Sequence, residues 1–206
     1  MDKIKKFFWK IGLIISLEWG LYFLWTKIYR FLRQRKYKGN VPVRTTLKQM
    51  REKIRARTWK RDSWRELGDA ISYPRYFEEV GENSELGNDC DDFSIWALNA
   101  GRENITHNNL SWTAEGLFTV VWIEDDGKKT ATLTGHNVAL FKTFENGKSI
   151  LGHVSNWRNG HIYEFSESTY EQVAQHIAFE AGNKKLVAWR LSSPDLKKKV
   201  AIKRYI

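Results

Sequence analysis

The chain contains one cysteine, Cys90, so what a thiol does here depends on its neighbours. A lone cysteine is commonly a small buried apolar residue. It becomes a nucleophile where a positive electrostatic environment and a nearby base favour the thiolate. Cys90 stands where residues 71–89, a loop punctuated by Pro74, Gly81 and Gly87, give way to the apolar run Phe93, Ile95, Trp96, Ala97 and Leu98. That run predicts a buried helix from about Cys90 to Gly101. The positive end of its dipole favours a thiolate at Cys90. Asp89, Asp91 and Asp92 oppose the thiolate electrostatically, and they also suit the first helical turn as caps. They lack an accompanying histidine or a spaced ligand pattern, so no metal site and no cofactor are expected.

A base must take the thiol proton. His136 follows Gly135 inside a predicted strand, and a cysteine at a helix start facing a histidine on a sheet is how Cys–His pairs are built. The second ring nitrogen needs an orienting partner. Asn156 lies 20 residues on, near the end of the next predicted strand, where a hairpin would bring it beside His136. His153 and His161 lack a Gly-His-x-Val setting and read as structural or surface residues.

The elements that must position these groups follow from periodicity and turn residues. Thr45 is expected to cap a basic helix to about Trp59, with Leu47, Met50 and Ile54 on one side. Residues 116–124, 129–143, 149–157 and 161–165 read as strands, with turns at 125–128 and 145–148. Residues 166–181 read as a helix capped by Ser166 or Ser168, and 185–191 as a last strand. The order of loop, helix and antiparallel meander is an α+β arrangement, with the nucleophile at a helix N-terminus packed on the sheet.

Residues 88–94, Asn-Asp-Cys-Asp-Asp-Phe-Ser, resemble the nucleophile motif of bacterial transglutaminase-like cysteine peptidases, usually G-D-C-E-D-[FY]-A. Gly135-His136-Asn137-Val138-Ala139-Leu140 resembles the G-H-A-V-L strand of that family. Tyr73-Pro74 resembles a shortened form of its aromatic–x–x–Pro-Glu loop. Ser155-Asn156-Trp157 falls where the family carries an Asp or Asn. The resemblance covers about residues 65–165. Asn88 replaces a glycine and Asn156 the commoner aspartate. The resemblance implies a papain-like core and a Cys90–His136–Asn156 triad. It also implies a thiol-dependent hydrolase acting on a peptide or protein amide through an acyl-enzyme, with transamidation as the alternative fate. The Cys90 backbone N–H would then be the first oxyanion donor, with a second from residues 83–88.

Charge divides the chain. Residues 1–61 hold 18 basic and 3 acidic side chains, residues 62–192 hold 11 and 20, and residues 193–206 hold 5 and 1. Basic ends around an acidic middle point to an attachment surface, for anionic lipid or for nucleic acid. Within the N-terminal segment, residues 11–26 carry one charge, Glu18, between Lys10 and Lys27, and would span about 24 Å as a helix. Trp9, Trp25 and Tyr29 stand where interfacial aromatics lie. The expected organisation is a hydrophobic and basic helix over 1–38 as a membrane anchor, and a basic linker and helix over 39–64. A transglutaminase-like catalytic domain over 65–192 and a loose basic tail over 193–206 follow. An amphipathic surface helix, or one buried against protein, is the competing reading of the first segment. For the whole chain the alternatives are a catalytically silent protein of the same fold, acting as a scaffold at a membrane, and a basic nucleic-acid- or lipid-binding module whose Cys90 is only buried.

Overall fold

The computed structural model describes residues 21–57, 71–80, 89–124, 132–157 and 169–205. Its centre is the long hairpin of β2 (Leu110–Glu124) and β3 (Thr132–Glu145), which pair from Thr113 opposite Lys142 to Glu124 opposite Thr132. Asn146 and Gly147, both at positive φ, turn the chain into β4 (Lys148–Val154), which pairs back onto β3. An Asn-Gly pair matches the twist of such a hairpin. β5 (Lys185–Ser192) lies on the other edge of β2, and β6 (Lys199–Arg204) pairs with β5. β1 (Ile105–His107) pairs with the start of β2. The sheet order is β4-β3-β2-β5-β6, and every strand pair is antiparallel. With helices on both faces, the fold is α+β.

Two cores follow from strand alternation. Leu117, Ala139, Phe141 and Val154 face one way, against Ile95, Trp96 and Leu98 of α4 (Cys90–Ala100). Phe118, Val120, Trp122, Val138 and Leu140 face the other way, against Val173, Ala174 and Ile177 of α5 (Tyr170–Glu180). Successive side chains of a strand point to opposite faces. Neighbouring residues of β3 therefore belong to different cores, and this bears directly on the site.

α4 is buried nearly all round, as its apolar run predicts. Asp89 caps it, its carboxylate accepting from Asp91 N–H at 3.3 Å. Phe77, from α3 (Pro74–Glu79), packs edge-on against Phe93 at 4.8 Å between ring centres. Trp96 Nε1 donates to Glu78 Oε2 at 2.6 Å, and Glu78 also pairs with Arg44 at 3.0 Å and Lys53 at 3.1 Å. Burial pushes the Glu78 carboxyl up. The Trp96 and Lys53 hydrogen bonds and the two cations outweigh it and hold Glu78 below its usual value. Part of the basic character of α2 (Leu47–Arg55) is thus turned inward. Its Leu47, Met50 and Ile54 are buried as expected, and the cap is Thr46 rather than Thr45, in a capping box with Gln49. Trp59 lies outside the described residues.

Several segments differ from the sequence reading. The loop over 71–89 contains α3, which starts with Pro74 in its first turn, where the missing N–H costs nothing. β2 begins at Leu110, six residues before the predicted strand. α5 is capped by Thr169, whose hydroxyl accepts from Gln172 N–H at 3.2 Å. The tail expected to be loose supplies β6, an edge strand bearing Lys199, Lys203 and Arg204, charges that discourage further strand pairing. Gly116 lies at the bulge in the β2–β3 register. A Cβ there would sit 2.1 Å from the Ser192 carbonyl oxygen. The predicted turn at 125–128, the strand over 161–165 and its His161 lie outside the described residues.

The start of the expected basic linker over 39–64 is part of the packed unit. Val41 is buried, its N–H donates to Asn99 Oδ1 at 2.9 Å, and its carbonyl accepts from Arg102 at 2.8 Å. α1 (Leu21–Arg33) docks on residues 71–73. Arg30 donates to the carbonyls of Ile71 and Ser72 at 2.8 and 2.7 Å, and the Thr26 hydroxyl accepts from Ile71 N–H at 3.3 Å. Just past the helix, the Gln34 side chain bonds Ser72 and Tyr73. Among the described residues, no helix is long and apolar enough to cross a membrane. Residues 1–20, which carry most of the apolar run, lie outside them.

Candidate functional site

Cys90 is the first residue of α4, and its side chain is half-buried. The helix N-terminus directs unsatisfied N–H groups and a partial positive charge toward it. β3 presents Asn137 to the thiol, with Asn137 Nδ2 3.9 Å from Cys90 Sγ. Thr119 Oγ1 donates to Asn137 Oδ1 at 2.6 Å, so the amide nitrogen is left to point at the sulfur. Ser94 ties helix to strand, its hydroxyl reaching the Cys90 carbonyl at 2.6 Å and the Asn137 carbonyl at 3.0 Å. These contacts fix the helix start against the strand and give the sulfur a neutral donor.

His136 lies on the other face of the sheet. It pairs with Val120, a member of the core under α5, while Asn137 pairs with Thr119 on the thiol's side. Its Nε2 is 2.6 Å from Ser155 Oγ, and its ring packs on Trp157 at 4.7 Å between centres. Trp157 in turn stacks on Trp122. Burial pushes the His136 imidazole down to about 4, so the ring is neutral at pH 7. The structure therefore does not bring the expected base to the expected nucleophile: strand parity separates them. Gly135 keeps β3 close to β2, because a Cβ there would meet the Val120 carbonyl oxygen at 2.7 Å.

Asn156 is buried, and among the described residues its Oδ1 accepts no hydrogen bond. The expected partnership with His136 is taken by Ser155, whose Oγ also accepts from Trp157 N–H at 3.1 Å. The β3–β4 register pairs Ala139 with Val154. Ser155 lies just past the end of that pairing, on the face of His136. The sequence reading missed Asn137, Ser155 and Thr119; period-two alternation from His136 was the signal available for them.

The first turn of α4 carries three carboxylates whose oxygens lie within 4.8 Å of one another: Asp89, Asp91 and Asp92. Asp89 is the cap, and Asp92 Oδ1 accepts from Ser72 N–H at 2.6 Å. The positive helix end suits carboxylates and opposes a cation. Burial pushes the Asp91 carboxyl up to about 7, and its own and Asp92's backbone N–H groups offset that only in part.

His153 is buried on the face of His136, its ring 5.9 Å from that of His176 on α5. Burial, then the charges of His176 and His136, push it down to about 3. Asn88 and residues 83–87, expected beside the thiol, lie outside the described residues.

Compared with family models, curated proteins and solved structures, the chain matches none of them.

Proposed function

We propose that the chain is a thiol-dependent amide-bond hydrolase with a papain-like, transglutaminase-like core, in which Cys90 is the nucleophile. The observation that carries this reading is the thiol itself. It is half-buried at the first residue of a largely buried helix, with the Asn137 amide N–H directed at the sulfur. Such a position favours the thiolate. The thiolate would attack the carbonyl carbon of a peptide or protein amide. The C–N bond then breaks, the amine departs with a proton, and water cleaves the Cys90 thioester. The Cys90 backbone N–H is the first donor for the oxyanion. His136 is the side chain that the family resemblance assigns to the proton, and it meets the thiol only if β3 presents its other face.

A second reading, a catalytically silent binding protein of the same fold, is favoured by His136. Its ring is neutral, bonded to Ser155 and separated from the thiol by the sheet. Acylation by p-nitrophenyl acetate separates the two. A burst of p-nitrophenol followed by steady turnover, with acetyl trapped on Cys90 and both phases lost in Cys90→Ser, supports the hydrolase. Acetylation no faster than that of free cysteine, without turnover, selects the silent protein.

A further inference from the structure

From Thr26 to Leu32, helix α1 is amphipathic in the reverse sense to a helix on a soluble domain. Its polar side chains Thr26 and Arg30, continued by Gln34, fall at every fourth position. They point inward, and Thr26 and Gln34 are almost fully buried. Over the same described stretch the apolar side chains Ile28, Phe31 and Leu32 point outward and are 42, 63 and 69 % exposed. An ordinary surface helix does the opposite, burying its apolar stripe and wetting its polar one. The inward bonds fix the helix orientation, since Arg30 is held by two backbone carbonyls and Gln34 by Ser72 and Tyr73. The apolar stripe therefore cannot roll onto the domain without breaking them.

We propose that the outward face of α1 seats in the interface of an anionic bilayer, with Ile28, Phe31 and Leu32 among the acyl chains and flanking cations among the headgroups. Lys27, Arg35, Lys36 and Lys38 are exposed around the stripe, and the Arg35 guanidinium lies 5.8 Å over the Phe31 ring. An apolar stripe rimmed by Lys and Arg is the pattern of an interfacial helix. The residues immediately before α1 point to the same occupant. Positions 7–20, FFWKIGLIISLEWG, are predominantly apolar and follow Lys3, Lys5 and Lys6. The surplus of 15 positive charges over residues 1–61 complements anionic lipid rather than a second copy of the same basic segment. The inward face of α1 is joined to the candidate site by hydrogen bonds. Arg30 holds the Ser72 carbonyl, and Ser72 N–H holds Asp92 in the turn that carries Cys90.

The test is co-sedimentation of the full-length protein with vesicles of phosphatidylcholine alone and of phosphatidylcholine with phosphatidylglycerol, for wild type and for Phe31→Ser/Leu32→Ser. Both positions are exposed, so the fold tolerates the change, and circular dichroism checks it. Expected is binding to the anionic vesicles that weakens with salt, and a partition lower by about tenfold or more in the double variant. A second readout places an environment-sensitive dye on Leu32→Cys in a Cys90→Ser background, and its emission should shift blue only with anionic vesicles. Equal partition of wild type and double variant overturns the proposal, because residues 1–20 would then anchor the chain alone. So does equal binding to both vesicle types, or a dye that shifts through self-association without lipid.

Discussion

The thiol should respond to Asn137 and not to His136. Asn137→Ala removes the amide N–H that lies 3.9 Å from Cys90 Sγ. A hydrogen bond to a charged acceptor contributes about 1.5–3 kcal/mol. At this long distance and with Cys90 half-buried, about 1 kcal/mol is the fitting magnitude. Where the thiol is mostly protonated, alkylation by iodoacetamide should then slow by about fivefold. His136→Ala removes the bond to Ser155 and the packing on Trp157, both on the far face, and should destabilise the protein by about 1–3 kcal/mol while leaving the thiol pKa unchanged. The assay is the labelling rate of Cys90 followed by mass spectrometry from about pH 5 to 9, with melting curves as the folding control. If His136→Ala slows labelling at acid pH more than Asn137→Ala does, the face assignment of β3 is wrong and the Cys–His pair exists in solution.

Three further outcomes follow from the same contacts. Gly135→Ala forces a methyl against the Val120 carbonyl oxygen and should cost about 1–3 kcal/mol in urea unfolding; an unchanged midpoint would contradict the strand spacing. Stability should fall as pH drops from about 6.5 toward 4. There the unfolded chain takes up protons at two histidines that burial keeps neutral, His136 at about 4 and His153 at about 3. Asp91, raised to about 7, works in the opposite sense, since the native state holds its proton where the unfolded chain has lost it. The two histidines outweigh the one carboxyl, so the net fall on acidification remains, and Asp91→Asn should steepen it; a melting temperature that rises on acidification defeats the assignment. Trp96→Phe deletes the 2.6 Å bond to Glu78 and should cost about 1–3 kcal/mol, with the thermal midpoint as readout.

Much of the scaffold is written locally. The α4 start is legible because a capping aspartate precedes an apolar run, and the β3–β4 turn because Asn146-Gly147 favours left-handed φ. The α5 and β5 positions were close for similar reasons. Where the reading fell short, the signal was weak or outvoted. Asn108 and Asn109, both at positive φ, make the turn that starts β2 early, and Pro74 opens a helix inside a stretch that looks like punctuation. Val200 and Ile202 alternate within so many lysines that β6 passes for a tail, and only pairing with β5 makes it a strand.

The site divides along the same line. The sequence by itself determined that Cys90 opens a buried helix and that His136 lies in a strand beside it. Which face of that strand meets the helix was not determined, because β3 carries two apolar series. Val138 and Leu140 form one, in line with His136, and Ala139 and Phe141 the other, in line with Asn137. A strand covered by helices on both faces loses the polar–apolar alternation that would label its sides. A shift of one residue exchanges every side chain across the sheet. Only the packed register, with Ala139 against Val154 and Thr119 against Asn137, decided that the thiol meets an amide and the imidazole meets a serine.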